Sequence, residues 1–282
     1  MTRCISCIVF IFRPNYVLYT VKIPAIQALV ALLLCSCLAV GCKNGLRGRN
    51  NNTNNPNKAD SSGNNPYLLT SLDTAQWAKL LQPDAFSQLV EIETSVGVLR
   101  AELFFHTPVH RENFLKLVSE NFYSGILFHR VIKGFMAQTG DPTSKNARKG
   151  AVLGMGGTGY ELEAEINTQY FHVRGAIAAA RTSDEANPEK KSSGSQFYIV
   201  DGRRVTNAQL EQIERKYNFS YTPQQRLLYQ QLGGAPQLDM EYTVFGRVYE
   251  GLELIDSITQ APADKYDRPT KDIKILRVKQ IK

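Results

Sequence analysis

Cysteine is confined to the first 42 of 282 residues, where Cys4, Cys7, Cys35, Cys37 and Cys42 account for all five. The rest of the chain therefore has no disulfide framework, thiolate zinc site or cysteine nucleophile. Acid is missing from the same stretch, in which Arg3, Arg13 and Lys22 meet no Asp or Glu. Without those three cations the formal charge of +7 falls to +4, with 30 basic against 26 acidic residues. That surplus is ordinary solubility, not a nucleic-acid footprint. Long disorder is excluded for most of the chain, because 43% of residues are hydrophobic and 10% aromatic. The length fits one or at most two domains.

Lys22 precedes an uncharged apolar run from Ile23 to Val40, about the lower limit for a membrane span. The run ends in Leu38-Ala39-Val40-Gly41-Cys42, followed at once by Lys43-Asn44-Gly45. Small residues ahead of a cysteine resemble the bacterial lipoprotein signal. That resemblance implies cleavage before Cys42, lipidation of its thiol, and a body tethered in the cell envelope, facing the periplasm. A plain transmembrane anchor is the alternative, and it too would send the body across the membrane. Nine asparagines lie between Asn44 and Asn65, too little apolar surface to fold. The expected organisation is a signal peptide over residues 1–41, an Asn-rich tether over 42–66, a short helical lead-in over 67–87 and a folded domain over 88–282.

In the lead-in, Asp73 is the expected N-cap, with Trp77, Leu80 and Leu81 on one face and Pro83 as the stop. From Gln88 the hydrophobic period changes to two. Leu89–Thr94 and Gly97–Leu103 read as strands joined by a tight turn at Ser95-Val96. Thr107-Pro108 opens a helix carrying Phe114, Leu115 and Val118. Six further short strands follow among glycine-rich loops: 127–132, 135–138, 175–180, 196–200, 242–249 and 273–278. Many short strands and few helices predict a mainly β closed antiparallel barrel or sandwich. Two capping boxes, Thr206-Asn207-Ala208-Gln209 and Thr222-Pro223-Gln224-Gln225, predict a helical hairpin inserted over 206–232.

Several chemistries fail on pattern. Gly154-Met155-Gly156-Gly157-Thr158-Gly159 matches the dinucleotide fingerprint by letter, but Ile177 to Ala180 stand where the acid should follow, so it reads as a mobile glycine loop. His106 and His110 are separated by Thr107-Pro108 and do not share a helix face, so the histidines read as surface residues and no metal is expected. Ser195 lacks a nucleophile elbow and an evident histidine partner. Glu161, Glu163 and Glu165 alternate along a solvated face.

The informative stretch is Phe128-His129-Arg130-Val131-Ile132-Lys133-Gly134-Phe135-Met136-Ala137-Gln138-Thr139-Gly140-Asp141. It sets an arginine beside an apolar patch with no acid nearby in the strand, so the cation is either paired from elsewhere or aimed at a ligand. Together with Gly194-Ser195-Gln196-Phe197-Tyr198-Ile199 and Tyr242-Thr243-Val244-Phe245-Gly246-Arg247-Val248, it resembles the cyclophilin family of peptidyl-prolyl isomerases, from about Leu89 to Ile281. The resemblance implies a closed eight-stranded antiparallel barrel with two flanking helices, here with the inserted hairpin, and a groove on the outer face. It implies that Arg130 is catalytic, that Phe135, Met136, Tyr198 and Leu238 line a proline pocket, and that Gln138 and Gln196 bind substrate backbone. Ala180 and its neighbours Ala179 and Arg181 would add main-chain contacts.

Three positions depart from the family pattern. Tyr198 replaces the usual Phe, Tyr242 replaces a histidine among the substrate-binding residues, and Gln237 stands where many members have a tryptophan that helps bind cyclosporin. The implied activity is isomerisation of X-Pro bonds by a monomer without cofactor or metal. Its partners would be proline-containing segments of envelope or secreted proteins, and the membrane through Cys42. A non-catalytic peptide-binding or assembly module using the same groove and the hairpin is the alternative.

Overall fold

The computed structural model describes residues 83–281. The expected signal peptide, the tether with Cys42, and the lead-in helix up to residue 82 lie outside the described residues. Residues 83–87 hold a turn in which the Ser87 N–H donates to the Asp84 carbonyl at 3.0 Å.

Period-two patterning governs the first hairpin. β1 (Gln88–Thr94) and β2 (Gly97–Leu103) pair in antiparallel register from Gln88↔Leu103 to Thr94↔Gly97, leaving Ser95-Val96 as the turn. Val90 and Ile92 on one strand and Leu99, Ala101 and Leu103 on the other are completely buried. The remaining ladder strands are β3 (Arg130–Ile132), β4 (Met136–Thr139), β6 (Ala176–Ala179), β8 (Phe197–Val200), β9 (Val244–Glu250) and β10 (Ile275–Gln280). Their order is β10-β1-β2-β9-β6-β8-β4-β3, antiparallel throughout. A separate ribbon pairs β5 (Glu161–Leu162) with β7 (Ser192–Ser193).

The expected closed barrel is corrected here to a curled sheet that stays open between β3 and β10. β3 is only three residues long and turns away through Gly134, so its ladder is too short to meet β10. Across the gap run one bridge, Leu127↔Lys274, and hydrogen bonds from Phe128 N–H to the Ile273 carbonyl and from Ile275 N–H to the Ile126 carbonyl.

Among the described residues four helices accompany the sheet: α1 (Pro108–Ser119), α2 (Asn207–Tyr217), α3 (Pro223–Leu232) and α4 (Glu253–Thr259). Phe114 and Leu117 of α1 and Ile255 and Ile258 of α4 join the inner face of the sheet in one core with Val131, Ala137, Ile177, Phe197 and Ile199. α4 is not expected from the sequence, since Leu252 at its N-cap offers no side-chain cap.

The hairpin is docked. Leu210 of α2, Tyr229 of α3 and Tyr221 between them pack on Phe171 and Val205. Both capping boxes form, with Thr206 accepting from Gln209 N–H and Thr222 accepting from Gln225 N–H. Because each threonine hydroxyl satisfies a helix-end donor, Thr206→Ala and Thr222→Ala should each cost about 1 kcal/mol, measured as a lower denaturant midpoint at unchanged slope. Stability within error of the parent for both variants would show that docking alone holds the hairpin.

Candidate active site

The site is built on register. Arg130 pairs with Gln138, Gln138 with Tyr198 and Ala178 with Tyr198, while Ile132 pairs with Met136 and Met136 with Val200. Residues directly opposite one another share a face, and so do residues two apart. Arg130, Gln138, Tyr198, Met136 and Gln196 therefore all belong to the outer face, while Val131, Ala137 and Phe197 point into the core. The outer face carries a second apolar cluster of Met136, Ala178, Ala180, Tyr198, Val200 and Val244, with Phe135, Leu238 and Tyr242 packed against it half-buried. Sequence reasoning thus named six residues that the fold brings together: Phe135, Met136, Ala180, Tyr198, Leu238 and Tyr242.

Local backbone geometry sets the rims. Gly134, at φ +71°, turns the chain between β3 and β4. The Phe135 carbonyl then accepts from both Asp201 and Gly202 N–H, and Asp201 Oδ2 accepts from Gly134 N–H at 2.7 Å. Opposite, the 3-10 turn Pro236–Leu238 carries Leu238, with Gln237 exposed. Tyr242 lies edge-on to Tyr198, with centroids 5.9 Å apart, beneath the Arg181 guanidinium at 4.5 Å. Glu241 anchors Arg181, Lys190 and Lys216 and accepts from Tyr217. Burial opposes its ionisation, but Lys190, Tyr217 and Lys216 prevail and hold its carboxyl at about 2.

Arg130 has a weak partner. Its Nε lies 3.4 Å from Asp267 Oδ2, and both side chains are nearly half exposed, at 42% and 47%. Gln138 Nε2 donates to Gln196 Oε1 at 3.0 Å. Gln196 is otherwise engaged: its Nε2 donates to the Gly154 carbonyl at 2.9 Å and to the Gly156 carbonyl at 2.6 Å. Its amide braces the glycine loop, so of the two glutamines Gln138 is the more open to a substrate. Both main-chain groups of Ala180 are also in use, its N–H on the Gln196 carbonyl and its carbonyl on Ser193 N–H.

Three expectations are corrected. The glycine loop, which β5 follows in keeping with the rejected dinucleotide match, is not a free loop but is tied down by Gln196 and by Asp141, whose Oδ2 accepts from Gly154 N–H at 2.6 Å. Burial raises the Asp141 carboxyl, but the Thr143 hydroxyl and the amides of Gly154, Thr143 and Gly156 outweigh it and leave it below its ordinary value. The histidines are not surface residues: His110, His129 and His172 are buried and only His106 is exposed. Glu165 leaves the solvated face of Glu161 and Glu163, because its carboxylate accepts from Val109 and His110 N–H at the start of α1 and meets His110 Nδ1 at 2.7 Å. His110 and Ser195 line one small cavity of about 10 Å³, which leaves no room for a substrate. Among the described residues no three His, Cys, Asp or Glu side chains converge as a metal site.

The comparisons agree with this geometry. The family model described as cyclophilin type peptidyl-prolyl cis-trans isomerase/CLD matches residues 89–280. The chain is 36% identical over 192 residues to peptidyl-prolyl cis-trans isomerase-like 3 of Gallus gallus, covering 66% of this chain and 91% of that one. It is 34% identical over 171 residues to a putative peptidyl-prolyl cis-trans isomerase of Staphylococcus saprophyticus, covering 60% and 78%. A crystal structure of a Cryptosporidium parvum cyclophilin type isomerase superimposes with a TM-score of 0.51 at 27% identity, covering 70% of this chain and 99% of that one. The chain belongs to the cyclophilin-type family and is a peptidyl-prolyl cis-trans isomerase.

His129, next to Arg130, is buried and bears a signature of its own. Burial drives its imidazole from the ordinary 6.5 down to about 4, against the pull of Asp141. An unfolded chain therefore binds this proton first, and the stability that the neutral ring contributes is present above about pH 6.5 and lost as pH falls toward 4. Thermal unfolding should show roughly 2 kcal/mol lost between pH 7 and 5 through this group. His129→Gln should flatten that slope, while an unchanged slope would assign the acid sensitivity elsewhere. Asp141, Glu165 and Glu241 are held low and lose their contributions only at still lower pH.

Proposed function

We propose that Arg130 catalyses rotation about X-Pro bonds without a covalent step, on a peptide whose proline ring rests on Phe135, Met136, Tyr198 and Leu238. The observation that carries this is the row Arg130–Gln138–Tyr198 across three strands, which sets a guanidinium and an amide at the edge of an apolar surface. The peptide bond resists rotation by about 18–20 kcal/mol because its nitrogen lone pair is delocalised. As the bond twists, the lone pair localises on the proline nitrogen and becomes a hydrogen-bond acceptor. A donor aimed there stabilises the twisted state more than the planar ground state, which is the requirement for catalysis. A guanidinium suits this because it keeps its charge and offers several N–H groups. Gln138 is placed to hold the flanking backbone while the ring stays gripped. The C. parvum isomerase has also been crystallised in the presence of the dipeptide Ala-Pro, at a TM-score of 0.50 to this chain, which supports a proline-containing ligand.

The setting belongs to the same proposal. Cys42 would carry the lipid at the head of a tether over residues 42–66, and the 206–232 hairpin would be an addition to the family fold. The clients would be envelope or secreted proteins met by a monomer, with no nucleic acid or cofactor involved. Radiolabelled palmitate should enter the wild-type protein in a bacterial host and not Cys42→Ser. Equal labelling of both would remove the anchor from this reading.

A protease-coupled isomerisation assay tests the chemistry. Arg130→Ala should lose about 100-fold in kcat/KM with its fold intact. Wild-type rates should stay nearly flat from about pH 6 to 9, since the arginine keeps its charge and His129 is neutral throughout. An active Arg130→Ala variant, or a bell-shaped profile centred near neutrality, would sink the arginine mechanism. Cyclosporin should inhibit weakly, because Gln237 presents an exposed amide where the family resemblance places an indole. Gln237→Trp should tighten inhibition; an unchanged inhibition constant would mean that this position lies outside the drug's footprint.

A further inference from the structure

Behind the apolar surface lies a buried polar chain that the isomerisation chemistry does not use. Asp239, the residue after Leu238, is 2% exposed and accepts four times. Its Oδ1 takes the His172 backbone N–H at 2.9 Å and His172 Nδ1 at 2.7 Å. Its Oδ2 takes the Tyr221 hydroxyl at 2.5 Å and the Tyr229 hydroxyl. The other nitrogen of His172, Nε2, lies 3.0 Å from the Tyr198 hydroxyl. In the tautomer whose Nδ1–H donates to Asp239, Nε2 accepts and Tyr198 donates. The chain thus runs from the hairpin, through Tyr221 and Tyr229, to Asp239, to His172, and ends on the ring that floors the apolar surface.

Each link is built and costly. His172 and Tyr229 are fully buried, and Tyr198 and Tyr221 are about 5% and 4% exposed. Burial pushes the hydroxyls of Tyr198, Tyr221 and Tyr229 well up, so all three remain donors. An apolar core would hold the hairpin without desolvating a carboxylate, and Phe171, Val205 and Leu210 already supply one. A phenylalanine at position 198 would floor the surface equally well, and it is the residue the family resemblance expects. The hydroxyl gains only the contact to His172.

We propose that Asp239 and His172 are positioning residues for proline recognition, through which the α2–α3 hairpin sets the placement of Tyr198 and Leu238. This rests on the reading of that surface as the proline site. Asp239 holds Leu238 from the backbone side, where its own N–H donates to Pro236 in the turn. His172 holds Tyr198 by its hydroxyl and stacks beside it, with centroids 6.0 Å apart at 15°. Loss of the hairpin hydroxyls would strip Asp239 Oδ2 of both its donors, leave the carboxylate held by His172 alone and let both pocket walls shift, so ground-state and transition-state binding would weaken together and kcat would hold.

The test is a double-mutant cycle on KM. Tyr221→Phe with Tyr229→Phe removes the hairpin's two donors while keeping the rings, and Tyr198→Phe removes the far end. The hairpin pair should raise KM for a proline tetrapeptide about tenfold, with kcat within about twofold. In the Tyr198→Phe background the same pair should raise KM by less than about threefold, because the chain is already cut. Equal increases in both backgrounds, or a KM that does not move while the melting temperature falls, would overturn the proposal and leave Asp239 as a fold-holding residue. Should the hairpin pair fail to fold, Tyr221→Phe alone and Tyr229→Phe alone carry the same cycle. A wild type that binds the tetrapeptide without isomerising it would defeat the catalytic reading instead; the cycle is then run on the dissociation constant.

Discussion

The register of β4 between β3 and β8 is the constraint on which the rest of the site depends. Three of its four residues, Met136–Gln138, have partners on both sides and Thr139 has one on β8, and alternation sends Met136 and Gln138 outward while Ala137 and Thr139 face the core. A slip of one residue would bury the amide and drive Thr139 outward. Both ends of the strand are clamped against that slip. The Thr139 hydroxyl donates to the Leu127 carbonyl at 2.9 Å, and the Phe135 carbonyl is held by two amides. Gly140, at φ +94°, lies so close to β8 that a Cβ there would come within 2.1 Å of the Ser195 carbonyl oxygen. Any side chain would push β8 away and break the row from Arg130 to Tyr198.

The sheet and the loops around it are tied by buried or partly buried carboxylates, each satisfied in its own way. Asp141 collects backbone amides of the glycine loop, and Glu165 collects the first free amides of α1, where Thr107 supplies no side-chain cap. Glu102 meets Arg247 across β2 and β9, and Asp239 meets tyrosines and a histidine. Irregular segments have no periodic apolar face with which to fasten themselves, and their backbone groups still need partners. A buried acid that takes several donors answers both needs at one point. It also makes such positions intolerant of change, since removing the acid strands every donor it served.

What the sequence made legible follows from the same physics. Strands with one buried face announce themselves by alternation, so all eight strands of the main sheet were found, to within about three residues at their ends. The hairpin was legible because both threonines sit three residues before a glutamine, a local signal that needs no tertiary context. Tertiary facts were not legible. The open edge beside β3 depends on where a three-residue ladder stops, which no periodicity records. The histidines read as surface residues because a buried imidazole depends on a partner far along the chain, Glu165 for His110 and Asp239 for His172. α4 lacks a side-chain cap, and its burial comes from the sheet it covers. Within the site, the apolar members were readable from motif, while the role of Gln196 as a brace required the position of the glycine loop.

Arg130 differs from the arginines around it in the quality of its partner, and that difference bears on what it can do. Arg181 is nearly buried under Glu241 and Asp184, with its guanidinium on the Tyr242 ring. Arg268 is nearly buried as well, and donates to three backbone carbonyls and to Asp272. Withdrawing either from its partners would leave a buried group uncompensated, at a cost of about 3–5 kcal/mol. Arg130 reaches Asp267 only at 3.4 Å, with water at both side chains, and exposed pairs of this kind are worth about 0–1 kcal/mol. Under the proposed mechanism, a cation that takes up a new acceptor as a peptide bond twists, and releases it when the bond is planar again, would have to leave its resting partner cheaply. Arg130 would meet that condition from the short edge strand β3, where the sheet fixes its backbone and its side chain stays partly open to solvent.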